Sequence, residues 1–353
     1  MTQARRTPLD AAHREAGGRF IEFAGWRLPV HYGSILGEAK AVREHAGMFD
    51  VSHMGRVRVR GAGALEVFRH LSTNDLRKVR PGKAQYTAWC TPDGGTIDDL
   101  IVSWLAEEEF LVVFNASRHY DDLEHLEDNA RGVMVLDETD VTGMIAVQGP
   151  DAIAIVAGLG AKHAAELPRF GVARDEVAGV GAVVSRTGYT GENGVELIVE
   201  AGAAPRVWEA LRGAGVQPCG LGARDALRME MGLPLYGHEL GLDTSPLEAG
   251  IGFTVAFDHD FIGRDALLKQ KEEGPPRRLV GFVCLKPAVP QSGDEIGPGV
   301  VTSGGTSVVL NAPIGLAFVP PDAEVGDVTL HTRGREIPCE LRKLPLIKKG
   351  RPK

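Results

Sequence analysis

The chain has 353 residues, of which 43% are hydrophobic and 24% charged, and its formal net charge is −8. This composition is typical of a globular protein with two or three domains, and the charge argues against a general nucleic-acid or anionic-membrane binder. No apolar run is long enough to span a bilayer, and the first residues lack the apolar segment of a secretory signal. We therefore expect a cytoplasmic protein.

Motifs for common cofactors and metals are missing from the sequence. The four cysteines are widely scattered with no metal-ligand spacing, which predicts reduced, mostly buried thiols and no metal site. There is no H-E-x-x-H, no G-x-G-x-x-G after a strand and no P-loop. A Rossmann flavin or nicotinamide enzyme and a P-loop ATPase are accordingly poorly supported.

Helix and strand signals recur along the first 274 residues. Thr7-Pro8 predicts a helix with Thr7 as N-cap that ends near Gly17-Gly18, and Ser34 predicts another that ends near Gly47. Segments 57–71 and 144–159 each predict a strand, a glycine turn and a helix, as in two related α+β units. Further strands are predicted at 110–114, 181–184 and 195–199, and further helices at 204–212 and 223–231.

The composition changes after about residue 274. EEGPPRR is typical of a linker, and the remainder combines many Gly, Pro and Val residues with short strand-like pieces. This pattern predicts a small all-β domain, either a barrel or a sandwich. The basic tail KLPLIKKGRPK is interpreted as a solvated terminus.

Two adjacent aspartates stand out in GGTIDDLIV, residues 94–102. If a strand begins at Thr96, Asp98 and Asp99 point to opposite faces of the sheet, because side chains alternate along a strand. This argues against a dyad in which the two share one proton. One of the two is then an exposed residue at the start of the strand, and the other faces a binding site.

Three glycine-rich polar segments could form a pocket with aromatic walls. They are FAGWRLPVHYG (23–33), which we interpret as loop-like, FDVSHMG (49–55) and RTGYTGENGVE (186–196). Each of them alone is equally consistent with tight turns, whereas together they suit a heterocycle site. Asp50, Ser52 and His53 do not form a credible hydrolase triad, since Asp50 and Ser52 are too local and no G-x-S-x-G elbow is present.

The order of these motifs resembles the aminomethyltransferase family, the tetrahydrofolate-dependent T-protein of the glycine cleavage system. The resemblance runs from about Pro8 to Leu346 and rests on FAGW, FDVSHMG, STND, QYT, GGTIDDLIV, QGP, RTGYTGENGVE, GLGARDALRMEMGLPLYGHEL, SPLEAGIGF, FIGRDAL and VTSGG. It implies an α+β fold, a three-domain cloverleaf around a central folate channel.

The resemblance also implies a division into domains. We expect a discontinuous folate-binding α+β domain at 1–50 and 138–274, a second α+β domain at 51–137 and a β-barrel domain at 275–353. Both α+β domains are expected to contain antiparallel sheets.

The reaction implied by the resemblance is one-carbon transfer. A lipoyl-carrier protein, the H-protein, delivers an aminomethyl group on its dihydrolipoyl arm, ammonia leaves and 5,10-methylenetetrahydrofolate forms. The critical aspartate of the family corresponds to Asp99, and Asp98 then faces elsewhere. Because an aspartate has a reference pKa near 4, we expect Asp99 to act by orientation and electrostatics rather than as a base, and Asp98→Asn to cost much less activity than Asp99→Asn.

Further positions correspond residue by residue to the folate site of the family. Glu196 matches a pterin-binding glutamate, and Arg224 matches a ligand-contacting arginine that could equally form a surface salt bridge. The pocket-lining positions are Tyr86, Tyr189, Met54 and Asn115. One departure is the tail, which lacks the C-terminal aromatic that closes over the folate in many members, so that either Leu346 or the lysines replace it or closure differs.

Other functions remain open at this point. Enzymes of the same fold transfer methyl groups from other donors to tetrahydrofolate and would retain the same folate residues. A non-catalytic folate-binding maintenance protein is a second alternative, although those relatives carry a cysteine in the glycine-rich loop, where this chain has Arg186-Thr187-Gly188-Tyr189. The folate domain of a larger flavoenzyme is disfavoured, since no dinucleotide domain is present. The resemblance further implies a monomer.

Overall fold

The structure is a computed structural model that describes residues 4–348 and the backbone of 351–352. The helices of that part, in chain order, are α1 (Asp10–Glu15), α2 (Ile35–Glu44), α3 (Ala64–Leu71), α4 (His119–Asn129), α5 (Ala152–Gly158), α6 (Ala204–Gly213), α7 (Leu221–Met231) and α8 (Arg264–Glu273). The strands are β1 (Arg5–Arg6), β2 (Arg19–Phe23), β3 (Trp26–His31), β4 (Gly47–Asp50), β5 (Gly55–Arg60), β6 (Lys83–Cys90), β7 (Thr96–Ala106), β8 (Glu109–Phe114), β9 (Met134–Asp137), β10 (Thr142–Gln148), β11 (Val172–Val177), β12 (Val180–Ser185), β13 (Gly194–Glu200), β14 (Gln217–Pro218), β15 (Arg278–Cys284), β16 (Glu295–Ile296), β17 (Gly299–Ser307), β18 (Ala312–Val319), β19 (Gly326–Thr332), β20 (Arg335–Arg342), β21 (Ile347–Lys348) and β22 (Arg351–Pro352).

Three larger sheets organise these strands. One has six strands in the order β11-β12-β13-β10-β4-β14, another has five in the order β6-β7-β8-β5-β9, and the last closes into the barrel β15-β18-β17-β16-β19-β20. The pairs are antiparallel except for β14 with β4 and, in a small three-stranded sheet, β1 with β3. The predicted α+β class with a C-terminal barrel is therefore confirmed.

Apolar side chains are buried on both sides of the two open sheets. One core lies under the six-stranded sheet around Trp208 of α6, and another covers one face of the five-stranded sheet around Trp89. The opposite faces of the two sheets meet in a third cluster, where Val113 of β8 packs with Met144 of β10 and Leu227 of α7. This arrangement brings β6, β7, α7 and the loop before β13 to the same region of the molecule.

Most elements predicted from hydrophobic patterns are confirmed, with two corrections. Helix α2 starts after Ser34, whose hydroxyl caps it by accepting from the Gly37 amide at 3.1 Å. Helix α1 begins later than predicted, at Asp10 with Leu9 at the N-cap position. The Thr7 hydroxyl accepts from the Leu9 amide at 3.3 Å and donates to Asp50 at 2.6 Å. The segment 23–33 is not mainly a loop, since it contains β3, which pairs with β2 in a hairpin.

The order of the strands suggests where the domains meet, and we retain the predicted division as a proposal. The six-stranded sheet takes strands from before 50 and after 138, and the five-stranded sheet takes its strands from between them. The stretch between α8 and β15 joins these sheets to the barrel. Across the described residues, none of the helices has the length and apolarity needed to cross a membrane.

Candidate active site

The centre of the candidate site is a carboxylate held by two donors from neighbouring strands. The Tyr86 hydroxyl of β6 donates to Asp99 Oδ2 at 2.8 Å, and the Asn115 side-chain amide, just after β8, donates to Asp99 Oδ1 at 2.9 Å. Antiparallel pairing causes this arrangement, because β6 and β8 flank β7 and present these side chains beside Asp99. Three of the residues expected at the site therefore lie together.

The predicted alternation of the two aspartates is confirmed, but Asp98 is not an exposed residue. Its side chain is completely buried, and its carboxylate accepts the Asn115 backbone amide at 2.9 Å and the Asn115 side-chain amide at 2.8 Å. The same side chain of Asn115 thus contacts both aspartates. Although they point to opposite faces, Asp98 and Asp99 are coupled through one amide.

The environment of Asp99 differs from that of a solvated aspartate, on which the expectation of a weak base rested. Burial, followed by the nearby charge of Asp98, raises the pKa of Asp99 to about 7, although the hydrogen bonds from Tyr86 and Asn115 oppose this change. Burial and the charge of Asp99 raise the pKa of Tyr86, so that its hydroxyl remains a donor. A carboxylate with a pKa near 7 can accept a proton at neutral pH.

A second group of predicted residues surrounds Tyr189. The Arg224 guanidinium of α7 lies 4.4 Å from the centre of the Tyr189 ring. Glu196 of β13 accepts a hydrogen bond from the Thr187 hydroxyl through Oε2. Among the described residues, neither an acceptor for the Arg224 guanidinium nor a donor for Glu196 Oε1 lies within hydrogen-bond distance. The two groups of opposite charge are thus close enough to influence each other and still have free hydrogen-bonding capacity.

The Tyr189 group and the Asp99 group belong to one electrostatic site. Burial raises the pKa of Glu196 and lowers that of Arg224, and each charge partly offsets the effect on the other. Tyr189 is influenced by the charges of both Arg224 and Asp99. Met54 does not contact Asp99 or Arg224 by a hydrogen bond and packs at the margin of the apolar cluster between the sheets.

Two further buried titratable groups near this site were not assigned to it from the sequence. His53 is buried, its Nδ1 has no partner among the described residues, and burial together with the Arg224 charge lowers its pKa to about 3. Asp122 on α4 is buried beside Asp98. The only signal for His53 was its place in FDVSHMG, and Asp122 gave none, because α4 was not predicted.

A groove opens beside the Asp99 group. It has a volume of about 570 Å³, and Tyr86 forms part of its wall. Its rim carries Arg80, Lys83 and Arg169, and the Phe253 ring, which is 77% exposed, lies 6.2 Å from the Tyr86 ring. The groove therefore combines positive charge with an exposed aromatic surface next to Asp99.

Two other features do not contribute to the site. Asp75, Asp258 and His259 lie close enough to hold a cation, but Asp75 is paired with Arg77 at 2.8 Å and both ring nitrogens of His259 face backbone carbonyls. Leu346 does not replace the missing aromatic, because it is 1% exposed and packs against the barrel in a cluster with Met229. The tail residues 349, 350 and 353 lie outside the described residues.

Comparison with known proteins agrees with the geometry. Residues 9–259 match the GCVT N-terminal domain, and residues 277–348 match the glycine cleavage T-protein C-terminal barrel domain. Aminomethyltransferases of Halalkalibacterium halodurans and Geobacillus kaustophilus are each 44% identical to the chain, covering 99% and 98% of it and 100% of each relative. The chain belongs to the glycine cleavage T-protein family.

A solved structure supports the same assignment at the level of the fold. The glycine cleavage system aminomethyltransferase T of Bartonella henselae superimposes with a TM-score of 0.91 at 32% sequence identity, covering 99% of both chains. The T-protein fold, including its C-terminal barrel, is therefore shared over the whole length.

Proposed function

We propose that this chain transfers the one-carbon unit of an aminomethyl group from the dihydrolipoyl arm of a lipoyl-carrier protein to tetrahydrofolate, with release of ammonia and formation of 5,10-methylenetetrahydrofolate. Membership of the T-protein family gives the activity class, that of an aminomethyltransferase of the glycine cleavage system. The observation that carries the proposal is Asp99, held by Tyr86 and Asn115, together with the Arg224 guanidinium over the Tyr189 ring.

The unpaired groups near Tyr189 fit a folate. A pterin presents N–H donors along one edge of a flat ring, and a carboxylate such as that of Glu196 can accept two of them. The free donors of Arg224 suit an oxygen acceptor, and the aromatic face of Tyr189 suits a planar ring. Glu196, Arg224 and Tyr189 would therefore hold and orient tetrahydrofolate.

Asp99 has the geometry and the pKa for the chemical step. Bound tetrahydrofolate supplies the amine nitrogens that accept the one-carbon unit. The Asp99 carboxylate, fixed through both oxygens, orients such a nitrogen, stabilises positive charge that develops on it and accepts its proton. Tyr86 and Asn115 position Asp99 for this role, and Met54 adds an apolar surface nearby.

The groove beside Tyr86 suits the carrier protein. A lipoyl arm must reach Asp99 from outside, and the groove leads to Tyr86, which contacts Asp99 directly. Arg80, Lys83 and Arg169 provide positive charge on a chain whose net charge is −8. We therefore assign docking of an acidic carrier surface to this rim, since complementary charge accelerates association and selects partners.

A turnover assay with a loaded carrier tests the proposal. The carrier with an aminomethyl group on its arm is mixed with the enzyme and tetrahydrofolate, and ammonia and 5,10-methylenetetrahydrofolate are measured together. Equal, folate-dependent release of both products is expected. Folate binding without either product would contradict the donor assignment, and a screen of methyl donors would then identify the alternative reaction.

We also propose a cytoplasmic location and a monomeric state for this protein. A cytoplasmic location is consistent with four cysteines that are free and buried among the described residues. The monomeric state stays a prediction, and analytical ultracentrifugation of the enzyme alone and with its carrier checks it.

A further inference from the structure

Asp122 of α4 is a buried carboxyl group with no donor to satisfy it. Its side chain is completely buried, and neither oxygen has a hydrogen-bond donor among the described residues. The nearest cation, Arg118, places its Nε 3.9 Å from Asp122 Oδ1 and donates that N–H to the Ile97 carbonyl at 3.0 Å. A buried, unpaired carboxylate costs several kcal/mol, whereas a neutral carboxylic acid has a proton to donate.

The acceptor for such a proton is Asp98. Arg118 places Asp122 in the neighbourhood of Asp98, because its Nε lies 3.9 Å from Asp122 Oδ1 and donates to the carbonyl of Ile97, the residue before Asp98. Each of the two carboxyl groups also acts on the pKa of the other. Burial raises the pKa of Asp98, but the two hydrogen bonds that it accepts from Asn115, at 2.9 Å and 2.8 Å, act in the opposite direction and stabilise its ionised form. Asp122 receives no such bonds, so that the proton between the two carboxyls belongs on Asp122.

Asn115 connects this pair to the candidate active site. Its side-chain amide donates to Asp98 at 2.8 Å, to Asp99 Oδ1 at 2.9 Å and to the Asp99 backbone carbonyl at 2.9 Å. The hydrogen bond to Asp98 therefore fixes the position of the Asn115 side-chain amide. A change in the charge of Asp98 would reach Asp99 both through this contact and through space.

We propose that Asp122 is a neutral acid that donates a hydrogen bond to ionised Asp98, and that this buried pair positions Asn115 and places a fixed negative charge behind Asp99. Asp98 and Asp122 are positioning residues, because their contacts are with each other and with Asn115 rather than with the pocket. The location of the proton is independent of the reaction, whereas its consequence for catalysis rests on the proposed function.

The charges around the pair agree with this distribution. Burial and the charge of Asp98 raise the pKa of Asp122 well above its usual range, and Arg118 and Asp121 act on it in opposite directions. Tyr236, whose ring lies 5.3 Å from the Arg118 guanidinium, is influenced by both Asp98 and Asp122. Burial raises the pKa of Tyr86 and of Tyr189, so both hydroxyls are neutral donors: Tyr86 donates to Asp99, and Tyr189 donates to the Pro234 carbonyl.

Two amide variants separate the roles of the pair. Asp122→Asn keeps a donor toward Asp98 and should leave the acid limb of the kcat/KM profile where it is in the wild type. Asp98→Asn removes the charge behind Asp99, so the acid limb should move to lower pH by about 1–3 units, the range for one neighbouring charge. It should also lower kcat, because a single amide oxygen replaces the two carboxylate oxygens that accept the backbone and side-chain N–H groups of Asn115. A shift in Asp122→Asn as large as that in Asp98→Asn would place the charge on Asp122 and overturn the proposal.

Carbon NMR of aspartate-labelled protein tests the proton without any turnover. In the wild type, one aspartate carboxyl carbon should keep the chemical shift of a protonated acid at neutral pH and at pH values above the titration of Asp99. That signal should disappear in Asp122→Asn and remain in Asp121→Asn, a control on the same helix whose side chain is 60% exposed. If every aspartate carbon of the wild type is ionised at pH 8, the proposal is wrong. If the proton is found but no transfer occurs, the pair stands and the proposed function fails.

Discussion

Two arginines one turn apart on α7 have opposite surroundings. Arg228 is buried with every branch of its guanidinium occupied, by Asp225, Glu239 and Ser303, each at 2.8 Å. Arg224 lies over the Tyr189 ring at 4.4 Å and has no hydrogen-bond partner among the described residues. The hydrogen bonds of Arg228 join α7 to Ser303 of the barrel, whereas the N–H groups of Arg224 have no acceptor among the described residues. The difference distinguishes a structural ion pair from a group that is available to a ligand.

The same distinction applies to the carboxylates. Glu239 is buried and accepts from Arg228, Ser303 and the Leu235 amide, so its oxygens are occupied. Asp99 is held by Tyr86 and Asn115 but is partly exposed at the pocket, and its pKa is raised to about 7. Near the barrel, the paired charges of Glu239 and Arg228 therefore hold the elements together. At the candidate site, the Asp99 carboxylate can change its protonation state.

The largest expected effect is on catalysis, through Asp99→Asn. The variant retains the size of the side chain but cannot accept a proton or stabilise positive charge. We expect kcat to fall by about 10²–10⁴, the range for a positioned acid–base group, with the folded state preserved. Single-turnover kinetics with loaded carrier measure the loss, and Asp121→Asn serves as the control. A loss of less than tenfold would remove Asp99 from the chemistry.

A large effect on stability is expected on the barrel side, through Arg228→Leu. Removing this guanidinium leaves Glu239 buried without its charged partner, which costs about 3–5 kcal/mol. Urea unfolding measures the change in the free energy of unfolding. Arg212→Leu is the matched control, because Arg212 is 44% exposed and pairs at the surface with Glu209, where ion pairs contribute about 0–1 kcal/mol. Equal losses in the two variants would contradict the structural role of Arg228.

A smaller effect, confined to ligand binding, is expected from Arg224→Gln. Hydrogen bonds to a charged group contribute about 1.5–3 kcal/mol, so the dissociation constant of tetrahydrofolate should rise by about 10–100-fold. The free energy of unfolding should change by no more than about 2 kcal/mol, since Arg224 loses a cation–π contact with Tyr189 but no hydrogen bond among the described residues. Calorimetric titration with tetrahydrofolate measures the affinity. An unchanged affinity together with a large loss of stability would reverse the comparison between the two arginines.

The smallest expected effect concerns the groove. In the double variant Lys83→Glu and Arg169→Glu, the KM for the carrier should rise by a few-fold at low salt with kcat unchanged, and the difference should shrink as salt screens it. The double variant Lys40→Glu and Lys269→Glu, at side chains that are 61% and 73% exposed, makes the same change in net charge away from the groove and is the control. If the KM for tetrahydrofolate rises instead, the groove binds the folate and the carrier docks elsewhere.

Sequence reasoning predicted the parts of this protein that depend on local patterns. The strand at Asp99, the helix at Arg224 and the all-β texture after residue 274 follow from periodicity and composition. The role of Asp99 came from the ordered family motifs. Burial of Asp98 was not predictable, because its partners Asn115 and Asp122 lie further along the chain and meet it only after β7, β8 and α4 pack.

The arginines illustrate the same limit. In GLGARDALRMEMG both Arg224 and Arg228 occupy helical positions beside Asp225, and either could form a salt bridge with it. The i,i+3 spacing already favours the pair of Asp225 with Arg228. Glu239 and Ser303 of the barrel, at sequence separations of 11 and 75, then occupy the rest of the Arg228 guanidinium. The local sequence therefore predicts a helix that carries two arginines. The tertiary contacts of Arg228 leave Arg224 as the arginine that can bind a ligand.

The most direct test of the account is the pH dependence of kcat/KM for tetrahydrofolate in the wild type and in Asp99→Asn. Since kcat/KM reports groups of the free enzyme, the wild type should lose activity as pH falls through about 7, where Asp99 becomes protonated. The residual activity of Asp99→Asn should show no such limb. A limb retained at the same pH in Asp99→Asn would mean that another group titrates, and it would contradict the assignment of Asp99 as the acceptor of the proton.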